Sequence, residues 1–357
     1  MTTAMPLRRL SLLASIFLIA LLNAALSTAH AQWWNFNDPT PPKYWGTEFA
    51  PKVKYTRKTV DDAYSAVHRA FWADDFQRIE RMYQEFSSEG IRATDGTWMV
   101  EPMARFFAEL GLSDTPVTRS ALATWLEKFP QSRLLPLVDA AKLQGQAWAA
   151  RGGAYGSSVP GESMAIFRER LRLASKVLQA AEPQGKESPI WYWVALIVAG
   201  SSGQPPAAFD GLFNEAVTRF PYYQPLYYTR MNYLLPQWGG SFEAVDRFVS
   251  QAVARTSAKE GNSLYAWLYL DVARKHDGDI FTDTLASWPK MKQGFEDMIE
   301  RYPDSYNKNL YATFACRVRD RETTARLLAE LGKEAALGAS SPGITTESCR
   351  RFALSNT

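Results

Sequence analysis

The sequence predicts an all-α protein: an irregular α-solenoid of helical hairpins behind a cleaved signal peptide. Three observations carry this. From residue 59 almost to the end, apolar residues recur at three- and four-residue spacing, with hardly any of the two-residue alternation that marks strands. A basic residue, then Phe or Tyr, then Pro, closes an amphipathic segment three times. The first 31 residues are laid out as an export signal.

In that leader, Arg8 and Arg9 form a positive start and Leu10 to Leu26 an apolar core. Ala29-His30-Ala31 then supplies the small-x-small cleavage pattern ahead of Gln32. Asn23 interrupts the apolar run, which falls short of the roughly 20 residues of a membrane span. LRRLSLL lacks the Phe that usually follows a twin-arginine pair, and no Cys follows the cleavage site. General secretion to the periplasm or beyond the cell is the expectation, with no lipid anchor and no membrane span after cleavage. Processing lowers the formal charge from +3 to +1 by removing two arginines. A near-neutral chain argues against a protein built to hold nucleic acid.

Residues 32–58, QWWNFNDPTPPKYWGTEFAPKVKYTRK, read as an extended lead-in, because prolines 39, 41, 42 and 51 forbid a regular helix. An N-terminal helical region spans 59–150. Thr59 is placed to cap a helix whose face is Ala63, Val67, Ala70 and Phe71, and Phe76, Ile79, Met82, Tyr83 and Phe86 repeat the pattern. The TDG at 94–96 marks a turn before EPMARFFAEL. A Gly-rich loop, RGGAYGSSVPG, occupies 151–161, and a C-terminal helical-repeat domain fills 162–357.

TWLEKFPQS (124–132), EAVTRFPYY (215–223) and DMIERYPDS (297–305) carry the turn signature. Proline has no N–H and clashes with the preceding turn, so each segment must stop there. The intervals of 91 and 82 residues each accommodate two or more hairpins, with SPIWYWVALIVAG and NSLYAWLYLDVARKH as intervening helices. Hairpins of about 34 residues are the tetratricopeptide scale. In RFPYYQPLYYTRMNYLLPQWGGS, Pro225 suits a first helical turn, and Tyr227, Met231, Leu234 and Leu235 form a stripe. Gly239-Gly240 supplies a left-handed turn and Ser241 caps the next helix, whose buried face is Phe242, Val245, Phe248, Val249 and Ala252. Packing accounts for most of these aromatics. Tyr222, Tyr223, Tyr227, Tyr228 and Trp238 are the candidate ligand-contacting residues.

Two cysteines, Cys316 and Cys349, enter an oxidising compartment, either as a pair or as two separately buried thiols. PLYYTRMNYLLPQWGGSFEAVDRFV and WPKMKQGFEDMIERYPDSYNKNLYATFACRVRDRETTARLL resemble an uncharacterised bacterial domain family of unknown function. That family is marked by a PxWGGS turn, a YPxSxxxNxxAxxAC segment and a short closing helix with a second Cys. The resemblance covers about Trp125 to the C-terminus. It implies a tetratricopeptide-like helical array without an established activity, and it implies a Cys316–Cys349 bond, since TTESCRRFA resembles the closing helix.

Catalytic and metal motifs are largely missing. His68 and His276 are the only histidines after the leader; there is no HExxH and no GxSxG. The Gly-rich loop lacks the Gly-Lys-Ser/Thr of a nucleotide cradle. Glu162-Ser163 resembles the Glu-Ser of lytic transglycosylases, but the companion Gly-Leu-Met-Gln is missing, and a helix start favours an acid anyway. Asp277, Asp279 and Asp283 resemble a calcium loop, yet Trp288 stands where an EF-hand needs Glu. Arg168, Arg172 and Lys176 form a basic stripe, read as a solvated face. The expectation is a non-enzymatic protein- or peptide-binding module of the cell envelope, without metal or cofactor. The alternatives are an envelope glycan or peptide hydrolase, or a non-catalytic glycan binder.

Overall fold

A computed structural model describes residues 55–87, 91–154, 156–338 and 343–355. The signal peptide and the lead-in before residue 55 lie outside them. The described residues are helical, with no strand and one isolated bridge between Arg92 and Trp98.

The first helix, α1 (Arg57–Trp72), begins before Thr59. Thr56 is its cap, accepting from the Thr59 amide, while Thr59 Oγ1 accepts from the Thr56 amide at 2.5 Å. Two threonines three apart satisfy each other's first-turn donors. Periodicity alone does not tell which of them opens the helix, and Arg57 and Lys58 therefore belong to α1, not to the lead-in. α2 (Phe76–Phe86) buries Phe76, Ile79, Met82 and Phe86, with Tyr83 only half-buried. A tight turn over 91–99, with Gly96 at φ +89°, leads to α3 (Glu101–Glu109). Next come α4 (Pro116–Lys128), α5 (Leu135–Arg151), α6 (Gly161–Gly185), α7 (Pro189–Ser201), α8 (Pro206–Arg219) and α9 (Gln224–Asn232). After these come α10 (Phe242–Glu260), α11 (Ser263–Lys275), a single turn α12 (Ile280–Asp283), α13 (Trp288–Arg301), α14 (Ser305–Arg317), α15 (Arg321–Leu331) and α16 (Thr346–Leu354).

The odd-numbered helices from α1 to α13 form a continuous row, each packed on the next odd one, and from α5 to α11 each helix also packs on its sequence neighbour. Burial follows this order. In α7 and α11, nine of 13 residues are buried, against four of 14 in α8. A helix covered on several sides has to be apolar nearly all round, which is why PIWYWVALIVAGS shows no polar face. Close approach depends on glycine at one crossing: a Cβ on Gly145 of α5 would stand 2.0 Å from the Ala108 carbonyl oxygen of α3.

The recurrent turn has one geometry. Phe129, Phe220 and Tyr302 end α4, α8 and α13 with φ/ψ of −132/63°, −127/66° and −128/71°. Each amide still donates to the carbonyl four residues back, at 2.8, 2.8 and 2.7 Å, while the following proline bars further helix. Farther along, α9 stops at Asn232, so Leu234 and Leu235 lie in a turn, not on a helical stripe. Pro236 holds Leu235 extended (φ −69°, ψ 149°). Gly239 is left-handed, and Ser241 caps α10 by accepting from the Ala244 amide at 3.2 Å. Val245, Phe248, Val249 and Ala252 are buried as expected, whereas Phe242 is half-buried against the His276 ring. Cys316 of α14 is bonded to Cys349 of α16, with a Cα–Cα distance of 5.8 Å. No helix among the described residues is long and apolar enough to cross a membrane.

Candidate functional site

The FP turn after α8 and the YP turn after α13 come together at an open groove of about 1240 Å³. Its other walls are the start of the described chain at Tyr55-Thr56, the turn Arg92–Thr94 with Trp98, and the end of α10 at Lys259-Glu260. The groove thus runs across the C-terminal ends of α8, α10 and α13, where carbonyls carry partial negative charge and basic residues are favoured.

Its floor is built around Arg92. The guanidinium donates to Glu260 Oε1 at 2.8 Å, to the Tyr302 hydroxyl at 2.5 Å and to the Tyr222 carbonyl at 3.0 Å. It stacks on the Trp98 ring, 5.0 Å from the centroid, and Trp98 Nε1 donates to the same Tyr222 carbonyl at 2.7 Å. Two donors on one oxygen hold the turn at 220–223 in place. Burial pushes the Tyr302 phenol up to about 12, with Arg92 opposing and Glu260 reinforcing the shift.

The groove's carboxylates are all engaged: Glu260 by Arg92 and Tyr302, Glu187 by Arg133, and Asp304 by Thr94 and the Tyr306 amide. Of its cations, Arg301 donates to the Lys259 carbonyl at 2.8 Å and pairs with Glu300. Lys259 and Arg219 differ. Lys259 lies over the Tyr222 ring, 4.7 Å from its centroid, and neither residue has an ion-pair partner among the described residues. Among the described residues, the rim charges without a direct ion pair are therefore positive, with Glu215 acting on Arg219 from one turn back.

The five aromatic candidates separate. Tyr222 lines the groove. Tyr223 is fully buried beneath Trp98, 5.3 Å between rings, and its hydroxyl has no hydrogen-bond partner among the described residues. Tyr227 is buried and donates to the Pro221 carbonyl at 2.7 Å. Trp238 packs edge-on to Trp148 at 5.7 Å, with Arg151 over its ring. Tyr228 faces a second, smaller cavity of about 130 Å³, away from the groove. Sequence reasoning did not find Arg92, Trp98 or Glu260, since nothing local marks them. Arg219, Arg301 and Tyr302 were visible only as helix-ending residues.

Other motifs resolve into structure. Asp283 accepts from the Asp279 amide at 2.9 Å and contacts His276 at 3.0 Å, and Asp279 caps α12, so this is a capped polar turn. His68 Nε2 accepts from Trp72 Nε1 at 3.1 Å. Glu162 is exposed in the first turn of α6, and Arg172 of the basic stripe pairs with Glu169 at 2.7 Å. No group of three or more potential metal ligands occurs among the described residues. The chain matches no protein-family model, no curated protein and no solved structure.

Proposed function

We propose that this chain is an exported, tetratricopeptide-like helical-repeat module that binds a protein or peptide partner in the groove. The carrying observation is the groove's charge state: aromatic walls from Tyr55, Trp98, Phe220, Tyr222 and Tyr302, internal carboxylates all engaged, and two cations, Arg219 and Lys259, without a direct ion pair among the described residues. Such a surface suits an extended segment carrying acidic and aromatic side chains, with Tyr222 as an anchor. The unbroken row of odd-numbered helices supports a solenoid, whose stacked units present long binding surfaces. The Cys316–Cys349 bond accords with the oxidising compartment to which the leader directs the chain.

A hydrolase draws less support. The raised carboxyl Glu101 and Asp95 do line one cavity, but Asp95 is committed to the Thr97 amide and hydroxyl, at 3.0 Å each, and to Arg57 at 3.3 Å. It is not positioned to act as base or nucleophile.

Random-peptide display against the mature chain tests the proposal. Selected peptides should be enriched in Asp, Glu and aromatics. Lys259→Glu and Arg219→Glu should each weaken their binding at least tenfold without changing the melting temperature. A selection that yields no binder, or binders indifferent to both substitutions, would remove the groove as the site.

A further inference from the structure

The chain enters the helical body at the wall of the groove. Tyr55, the first described residue, lines it. Three contacts pin Tyr55 there: its hydroxyl donates to Glu85, its carbonyl accepts from the Thr94 amide at 2.6 Å, and its ring stands edge-on to Phe86 at 5.8 Å. The lead-in that precedes Tyr55 in sequence is therefore tethered at the binding surface itself.

That lead-in carries the chemistry proposed for the groove's ligand, which is an extended segment presenting aromatic and acidic side chains to Arg219 and Lys259. Residues 44–49 read YWGTEF, with three aromatics and one acid, Glu48, in six positions. Pro41 and Pro42 precede this stretch and Pro51 follows it. Proline bars a helix and holds the residue before it in extended backbone, which suits a groove ligand. Lys43, Lys52 and Lys54 flank the stretch, so the charge match is local to Glu48.

Reach and tethering both favour this stretch. Glu48 lies seven positions before Tyr55. At ~3.3 Å per residue that is a reach of up to about 23 Å, enough to carry its carboxylate across a groove of about 1240 Å³. The other aromatic and acidic stretch, WWNFND at 33–38, hangs on a longer tether and so has a lower local concentration. A short tether holds its ligand at roughly 1 mM. A segment with an intrinsic dissociation constant of about 100 μM would then fill its own groove about nine-tenths of the time and weaken an outside peptide roughly tenfold.

We propose that residues 44–49 dock in the groove of their own chain, with Glu48 toward Arg219 and Lys259, and that a partner has to displace them. This inference rests on the groove as the peptide site and adds a built-in competitor to it.

Fluorescence anisotropy with a labelled synthetic peptide of residues 43–51, KYWGTEFAP, tests the competitor on two forms of the full mature chain. One is unaltered; the other carries Tyr44→Ala, Trp45→Ala and Glu48→Lys, all outside the described helices. The altered chain should bind the peptide at least tenfold more tightly than the unaltered chain does. Adding Lys259→Glu to the altered chain should abolish that binding. Peptides selected by display should show the same tenfold gain on the altered chain. Equal affinity of KYWGTEFAP for the two forms would overturn the inference and leave the groove as the peptide site. The same holds if KYWGTEFAP fails to bind the altered chain while the selected peptides still do. Binding by neither kind of peptide would overturn both.

Discussion

Arg92 and Glu260 stand 168 positions apart in sequence and share a 2.8 Å ion pair, with side chains only 12% and 5% exposed. This contact ties the 92–98 turn to the end of α10, and the Tyr302 hydroxyl, donating to both Glu260 oxygens at 3.1 Å, brings in the turn after α13. The groove floor is thus one network joining three distant segments.

Removing one member leaves the other charge buried without a partner, which costs far more than the net worth of a pair. Arg92→Ala should destabilise the protein by about 3–5 kcal/mol, measured as a lowered denaturation midpoint in urea. Replacing both residues together should cost less than the two single losses summed, because the orphaned charge disappears with its partner. A loss below about 1 kcal/mol for Arg92→Ala would mean that water enters the floor and the network is not structural.

The Cys316–Cys349 bond closes a loop of 33 positions and holds α16 to α14. In the chain-entropy view such a bond stabilises by roughly 3–4 kcal/mol, by restricting the unfolded chain. Non-reducing alkylation followed by mass analysis should find no reactive thiol. Reduction should then lower the unfolding midpoint by the corresponding amount and leave the helices α5 to α11 in place by circular dichroism. Two labelled cysteines before reduction would contradict the bond.

The helical class, the three turn signatures and the caps at Ser241 and Gly239 were legible because each depends on a few adjacent residues. Phe129, Phe220 and Tyr302 share one backbone geometry because a following proline imposes it. Helix ends were less secure where two signals competed, as at Thr56 and Thr59, or where a proline acted at a distance, as Pro236 did on the end of α9. The groove was not legible. Arg92 and Glu260 have no local pattern, and the tyrosines at 222, 223, 227 and 228 look alike in sequence. Yet the chain turns them to three different surroundings: Tyr222 to the groove, Tyr223 and Tyr227 to the core, and Tyr228 to the small cavity.

Buried phenols give the fold an alkaline limit. Burial, together with carboxylate partners for Tyr192 and Tyr302, pushes Tyr192, Tyr233 and Tyr302 up to about 12. Unfolded tyrosines ionise near pH 10. Between about pH 10 and 12 the unfolded chain therefore binds fewer protons than the folded one, and stability falls as pH rises. The contribution is complete below about pH 10 and is lost as the pH climbs through about 12. Titration followed by phenolate absorbance and circular dichroism in parallel should show two groups. The exposed tyrosines should ionise near pH 10 with helicity intact, and the buried ones only as the helical signal collapses. Tyr302→Phe should leave the first group unchanged and remove one phenol from the second. If every tyrosine titrated together near pH 10 with the helices intact, water would have access to these phenols in the folded state, and the groove floor would be hydrated rather than sealed by Arg92, Trp98 and Glu260.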